Sequence, residues 1–219
     1  MPSKKRHCQN WKLYVITDPA AASGRSLEER VQEAIEGGAD VIQLRDKKAG
    51  DEELVQAAKT ILRILRPRGI YLIINDRVWV AKHSGADGVH LGQEDGSLKE
   101  ARGILGEKVI LGRSTHSQVQ AQAAEKEGFD YIGVGPVFQT PTKPHCTPVG
   151  LELVRFASRH IHIPFVAIGG IDAHNIKEVR EAGAQTVAVV RAVMTARDPK
   201  KACEKLLREM TNDKIQITK

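Results

Sequence analysis

One α/β domain folded as a closed (β/α)8 barrel is the architecture that this 219-residue sequence predicts, and three observations carry the prediction. Apolar, strand-like runs alternate with amphipathic helical stretches along the whole chain, the signature of a parallel sheet wrapped by helices. A short motif recurs: Gly38-Ala39-Asp40-Val41-Ile42, Gly85-Ala86-Asp87-Gly88-Val89, Gly128-Phe129-Asp130-Tyr131-Ile132 and Gly183-Ala184-Gln185-Thr186-Val187. Its starts lie 47, 43 and 55 residues apart, each interval too long for one strand-helix unit and suited to two. Finally, no GxGxxG follows the first strand, and a roughly fourfold repeat fits a closed ring better than an open doubly wound sheet, the competing arrangement.

The elements follow in order. A first strand is read at 13–17 and a helix at 27–36, with apolar residues at three-to-four spacing. The first copy of the motif supplies a helix-terminating glycine and then a second strand, apolar on both faces. A helix at 52–66, a strand at 71–75 and the second copy come next, followed by a strand at 109–112, a helix at 118–127 and the third copy. The seventh strand is placed at 165–168, a helix at 176–182, and the last strand in the fourth copy, with a terminal helix carrying Lys200, Lys201, Lys205 and Arg208. The excess length of the third interval falls in residues 135–150, GPVFQTPTKPHCTPVG, a long loop after the sixth strand whose Pro and Gly content opposes a helix.

Composition limits the function. The chain is long enough for one core, so the barrel domain is assigned to 12–219 and a basic, disordered segment to 1–11. No run approaches the ~18 apolar residues of a membrane helix, and the first residues lack the apolar core of a signal peptide, so no membrane association and a cytoplasmic location are expected. Cys8, Cys146 and Cys203 form no CxxC pair and read as free thiols. The net charge of +6 is concentrated near the termini, and with aromatics at 4% it does not suggest a nucleic-acid partner. The sequence is compatible with a homo-oligomer.

In such a barrel the ligand site lies at the C-terminal ends of the strands. The second strand ends in Gln43-Leu44-Arg45-Asp46-Lys47, where alternation turns Gln43, Arg45 and Lys47 the same way. An ordinary charged loop would explain Arg45 and Lys47, but less easily a Gln43 set in an apolar run. The third strand ends in Asn75-Asp76 and the fourth leads to Asp95. Two carboxylates from neighbouring strands suit Mg²⁺, which keeps waters and takes oxygens from substrate phosphates. The competing reading has Asp76 and Asp95 capping the helices that begin near Arg77 and Ser97; their association with Arg45, Lys47 and Lys143 favours the metal. The fifth strand leads to Ser114 and His116, the latter read as a structural histidine rather than a base. Thr140, Pro141, Thr142 and Lys143 form a stiff cradle for anionic oxygens, while Gly169, Gly170, Val190 and Arg191 at the last two strands form a second anion site. A diphosphate-metal site beside a monophosphate site suggests the joining of two phosphorylated small molecules.

The run of motifs LYVITD at 13–18, GGADVIQLRDKK at 37–48, IINDRVWVAKHSGADGVHLGQED at 73–95, GRSTHS at 112–117, DYIGVGPVFQTPTKP at 130–144 and VAIGGI at 166–171 resembles the thiamine phosphate synthase family. The resemblance implies a TIM-barrel transferase that couples 4-amino-2-methyl-5-hydroxymethylpyrimidine diphosphate to a thiazole phosphate, releasing pyrophosphate. It also implies that Gln43, Arg45, Lys47, Asn75 and Lys143 hold the pyrimidine diphosphate and that Ser114 contacts the pyrimidine. Asp76 and Asp95 would bind Mg²⁺, and residues 140–142 with Gly170, Val190 and Arg191 would hold the thiazole phosphate. Arg45, Lys47, Ser114 and Lys143 are the residues expected to carry catalysis, by assisting departure of the diphosphate before the thiazole nitrogen captures the pyrimidine cation. Arg191 departs from the family pattern, which commonly has serine there. The alternatives are a tautomerase-like relative using His116, an aldolase with Lys143 as Schiff base, and a noncatalytic phosphate-binding protein.

Overall fold

The computed structural model describes residues 8–19, 25–142 and 145–211. Eight parallel strands close into a barrel in sequence order: β1 (Leu13–Ile16), β2 (Val41–Leu44), β3 (Tyr71–Asn75), β4 (Gly88–Leu91), β5 (Ile110–Thr115), β6 (Tyr131–Val134), β7 (Phe165–Ile168) and β8 (Val187–Val189), with β8 pairing back to β1 through Tyr14 and Ala188. Among the described residues the helices are α1 (Leu27–Glu36), α2 (Asp51–Leu65), α3 (Val78–Ser84), α4 (Leu98–Leu105), α5 (Gln118–Glu127), α6 (Gly150–His160), α7 (Ile176–Glu181), α8 (Arg191–Met194) and α9 (Pro199–Thr211). No helix among them is long and apolar enough to cross a membrane.

Local chemistry sets the helix starts. Ser26 and Ser97 each accept a hydrogen bond from the amide of a glutamate three residues on, and Glu29 and Glu100 reach back to the cap amides, closing two capping boxes on α1 and α4. Ser117 caps α5 in the same way through the amide of Gln120.

Alternation along the strands sorts their side chains into two cores. Leu13, Val15, Ile42, Leu44, Leu72 and Ile74 face the helices, whereas Tyr14, Ile16, Val41, Ile73, Ile110, Tyr131, Val166 and Ala188 fill the barrel. The aspartate in three of the four copies of the recurring motif has a concrete task at the barrel's N-terminal rim. Asp40 Oδ2 accepts the amides of Lys12 and Leu13 at 2.7 and 3.0 Å, Asp87 Oδ2 that of Leu72 at 2.9 Å, and Asp130 Oδ2 that of Leu111 at 2.8 Å. Each aspartate thus fastens the even strand it precedes to the odd strand beside it, which explains a repeat spanning two strand-helix units.

Two sequence expectations are corrected. The segment 1–11 is not a uniform tail: Cys8 and Trp11 are buried, and the Trp11 ring closes the barrel floor against Tyr14, Tyr71 and Tyr131, with centroids 5.8, 5.9 and 5.3 Å away. Residues 1–7 of that segment lie outside the described residues. The fifth strand, expected at 109–112, extends through Thr115, because a polar upper layer is normal inside a barrel whose mouth binds polar ligands.

The long loop after β6 is bound to its neighbour. Val137 and Phe138 donate to the carbonyls of Ile168 and Gly169 at 2.8 and 3.0 Å, so this loop extends the ladder beyond the end of β7.

Candidate functional site

The C-terminal mouth of the barrel opens into a cavity of about 440 Å³. Its β2–β5 wall carries Gln43, Arg45, Asn75 and Ser114, and the opposite wall is built from residues 140–142, Gly169, Gly170, Val190 and Arg191. Sequence-expected groups from six strand ends therefore meet in one space.

Strand alternation and local turns decide which members of the contiguous runs reach it. Gln43 is buried on the inner face, whereas Leu44 is 2% exposed within the outer core, against the helices, so its side chain does not reach the cavity. Asp46 is likewise occupied elsewhere: its Oδ1 accepts the amides of Lys48 and Ala49 at 2.8 and 3.2 Å, shaping the turn into α2. Between them, the Arg45 backbone is clasped by Thr17, whose hydroxyl accepts the Arg45 amide at 2.9 Å and donates to its carbonyl at 3.2 Å. Lys143 lies outside the described residues.

Asp76 is not the cap of α3. That position belongs to Arg77, and no side chain caps it. Asp76 instead sits at φ 63°, a left-handed conformation that aspartate tolerates better than most residues, with its amide donating to the His90 carbonyl at 2.8 Å. Nor does Asp95 cap α4, since Ser97 does; Asp95 Oδ2 accepts the Gly92 amide at 2.7 Å. Burial raises the Asp76 carboxyl to about 6, and its hydrogen bond and repulsion with Asp95 push the same way, against the pull of Lys47, whose Nζ lies 3.9 Å from Asp76 Oδ2. Two facing carboxylates that resist simultaneous ionisation form a site whose charge a divalent cation would balance. No group of three or more His, Cys, Asp or Glu that could hold a metal exists among the described residues, so other ligands of such a cation would come from water or substrate.

Across the cavity, Gly169 and Gly170 hold φ values of 104° and 64°. A methyl group on Gly170 would lie 2.5 Å from the Gln139 carbonyl oxygen, and one on Gly169 would lie 2.5 Å from Pro136 Cα. Only glycine lets the two loops touch here. Asn175 braces the turn by donating from Nδ2 to the Gly170 carbonyl at 2.7 Å. Arg191, expected at the end of the last strand, is instead the first residue of the short α8; it is exposed and lines the mouth.

Sequence reasoning missed the interior beneath the mouth. Tyr14, His90 and Tyr131 also line the cavity and are hydrogen-bonded to one another and to Gln43 and Ser114. Gly112 makes room for them, since a methyl group there would stand 2.2 Å from Tyr131 Cζ and 2.6 Å from His90 Nδ1. The available signal was parity: Tyr14, Gln43, His90, Ser114 and Tyr131 all occupy inward positions of their strands. His116 also lines the cavity and has an orienting partner, because its Nδ1 is hydrogen-bonded to the Gly135 carbonyl.

Comparison with known proteins finds relatives in sequence and in fold. A family model described as thiamine monophosphate synthase matches residues 13–193. The thiamine-phosphate synthase of Syntrophomonas wolfei subsp. wolfei is 44% identical over 198 residues, covering 90% of this chain and 95% of that protein. That of Shouchella clausii is 44% identical over 201 residues, covering 91% and 96%. Among solved structures, the thiamine phosphate pyrophosphorylase from Pyrococcus furiosus superposes with a TM-score of 0.85 at 39% identity, covering 95% of this chain and 98% of that one. A (S)-3-O-geranylgeranylglyceryl phosphate synthase from Thermoplasma acidophilum, at 16% identity, TM-score 0.70 and coverages of 96% and 99%, shares the fold.

Proposed function

The chain belongs to the thiamine monophosphate synthase family, and from that premise we propose how its residues divide the work of the family's reaction. The activity is thiamine-phosphate synthesis, a group transfer. The proposed substrates are 4-amino-2-methyl-5-hydroxymethylpyrimidine diphosphate and 4-methyl-5-(2-phosphoethyl)thiazole or its carboxylate, with Mg²⁺ as cofactor.

The observation that supports this reading best is the polarity of the cavity: Arg45 and Asn75 line one side, with Lys47 and the Asp76–Asp95 pair just beyond that lining, and the residue 140–142 cradle with Gly170 and Arg191 stands on the other. Two anionic groups can then be held at opposite ends of one space, with a flat ring over the polar floor between them. Asp76 and Asp95 would hold Mg²⁺, which when bound offsets the negative charge of the diphosphate oxygens. Arg45, Lys47 and Lys143 would supply further positive charge to those oxygens as the bond between the pyrimidine methylene carbon and the diphosphate oxygen breaks, its electron pair leaving with pyrophosphate. Gln43, Asn75 and Ser114 would hold the pyrimidine. The thiazole nitrogen then donates its lone pair to the methylene cation, positioned by its phosphate on Thr140, Thr142, Gly170 and Arg191, while the closed floor keeps water away. No nucleophilic side chain is needed, because the electron pair of the new bond comes from the thiazole nitrogen; Ser114, hydrogen-bonded to His90, is assigned to holding the ring.

Pyrophosphate release, assayed with each substrate omitted in turn, tests the reading. Release should require both substrates and be abolished by chelation of divalent cations. Turnover of a thiazole carboxylate phosphate alone, with no pyrophosphate formed, would identify a tautomerase instead, and borohydride-trappable adducts on Lys143 would identify an aldolase.

A further inference from the structure

A line of five side chains crosses the floor of the cavity. Gln43 Nε2 donates to the Tyr14 hydroxyl at 2.8 Å, the Tyr14 and Tyr131 hydroxyls are 3.0 Å apart, Tyr131 meets His90 Nδ1 at 3.0 Å, and His90 Nε2 meets Ser114 Oγ at 2.9 Å. All five line the cavity, with Gln43 on β2 and Ser114 on β5 at the two ends of the line.

Proton counting makes this line directional. Tyr14 accepts from Gln43, so its own proton is directed to Tyr131; Tyr131 accepts that bond and directs its proton to His90 Nδ1. A neutral His90 that accepts at Nδ1 carries its proton at Nε2 and donates to Ser114, whose hydroxyl proton is left to face the cavity. Gln43 then offers its carbonyl oxygen to a ligand while Ser114 offers a proton. Turning the Gln43 amide over reverses every link together, and the floor again presents one acceptor and one donor with their positions exchanged. Burial raises both tyrosine hydroxyls far above neutrality, which keeps two protons in the line in either sense.

We propose that Tyr14, Tyr131 and His90 are positioning residues that lock the hydrogen-bond roles of Gln43 and Ser114 to each other, so that the cavity floor recognises a flat ring bearing one donor and one acceptor, as an aminopyrimidine does. This rests on the function proposed above and extends it from the residues that touch the ring to three that act through them.

The test is Tyr131→Phe, which keeps the ring that packs on Trp11 and removes the central hydroxyl. Expected is a rise of about tenfold in KM for the pyrimidine diphosphate, the size of one lost hydrogen bond to a ligand, with KM for the thiazole phosphate unchanged within about twofold. In the wild-type background the losses from Gln43→Ala and Ser114→Ala should combine to less than their product, whereas in Tyr131→Phe they should multiply. Tyr14→Phe breaks the same line at another link and should reproduce the result. The unaltered chain gives an independent reading: ring ¹⁵N shifts at about pH 8 should show His90 neutral, and a doubly protonated imidazole would overturn the proposal, because two N–H donors cannot couple the roles of Gln43 and Ser114. So would Tyr131→Phe kinetics equal to wild type for the pyrimidine diphosphate, or losses at Gln43 and Ser114 that multiply in the wild-type background. A wild-type chain that makes no thiamine phosphate would instead defeat the functional reading itself.

Discussion

Asp76 and Asp95 face each other across the ends of β3 and β4, and neither is spent on a helix cap. Their opposition raises the Asp76 carboxyl, and a cation bound between them as proposed would relieve it. Asp76→Ala and Asp95→Ala should each lower kcat/KM by about two orders of magnitude, the scale of a metal's charge stabilisation in phosphoryl departure, with little recovery at high Mg²⁺. Thermal shift checks the assignment separately from activity: Mg²⁺ with pyrophosphate should stabilise the wild-type chain and leave either variant unmoved.

The same pair makes stability depend on pH in the metal-free protein. Asp76 ionises near ~3.9 when unfolded and near about 6 when folded, so its contribution to stability is full below the lower value and is lost as pH rises through the upper one. At neutral pH, with chelator present, Asp76→Asn should therefore be more stable than wild type by on the order of 2 kcal/mol, a gain that vanishes by about pH 4. Urea denaturation at several pH values measures the difference; a gain that does not vary with pH would remove the ionisation argument.

The fold was legible because the four glycine-led copies mark every second strand, and in three of them the hydrogen bonds of Asp40, Asp87 and Asp130 show the physical reason. Boundaries were less legible wherever a strand turns polar inside the barrel, as at Arg113, Ser114 and Thr115. The candidate residues that line the cavity were visible as polar groups closing apolar runs. Taking runs whole included Leu44 and Asp46, which alternation and an Asx turn direct elsewhere. Tyr14 and Tyr131 stayed hidden because an aromatic in an apolar strand looks like core, and only three-dimensional pairing reveals where its hydroxyl goes. Trp11 was hidden by its basic surroundings.

Gly170 should be intolerant of any side chain. Gly170→Ala must relieve a 2.5 Å approach to the Gln139 carbonyl in a backbone conformation that costs an L-residue ~1–2 kcal/mol, and the relief available is movement of the loop that carries Thr140 and Thr142. KM for the thiazole phosphate should rise about tenfold or more, with KM for the pyrimidine diphosphate changed far less, as steady-state kinetics with each substrate varied will show.

Arg191 offers an exposed guanidinium at the mouth, with no ion-pair partner among the described residues. Charge-assisted bonding to phosphate predicts that Arg191→Ser weakens thiazole phosphate binding about five- to tenfold, more at low ionic strength than at high. Equal affinities for the two proteins by calorimetry would mean that the side chain turns outward.

Stability away from the mouth should hinge on Arg102. Its Nη2 lies 2.6 Å from Asp130 Oδ2, its Nη1 donates to the Val109 carbonyl, and the two side chains are only 12% and 9% exposed. Removing the cation leaves Asp130 buried with the Leu111 amide as its remaining partner at that oxygen, which 2.8 Å of separation keeps in place. Breaking a buried pair in this manner costs about 3 kcal/mol, so Arg102→Met should lower the melting temperature by roughly 6–12 °C. Adding Asp130→Asn should recover much of that loss, because an amide oxygen still accepts from Leu111 without an unpaired charge. Both changes lie at the N-terminal end of the barrel, opposite the cavity, so kcat at 25 °C should stay near wild type; a fall in kcat matching the fall in stability would show that the two ends of the barrel are not independent.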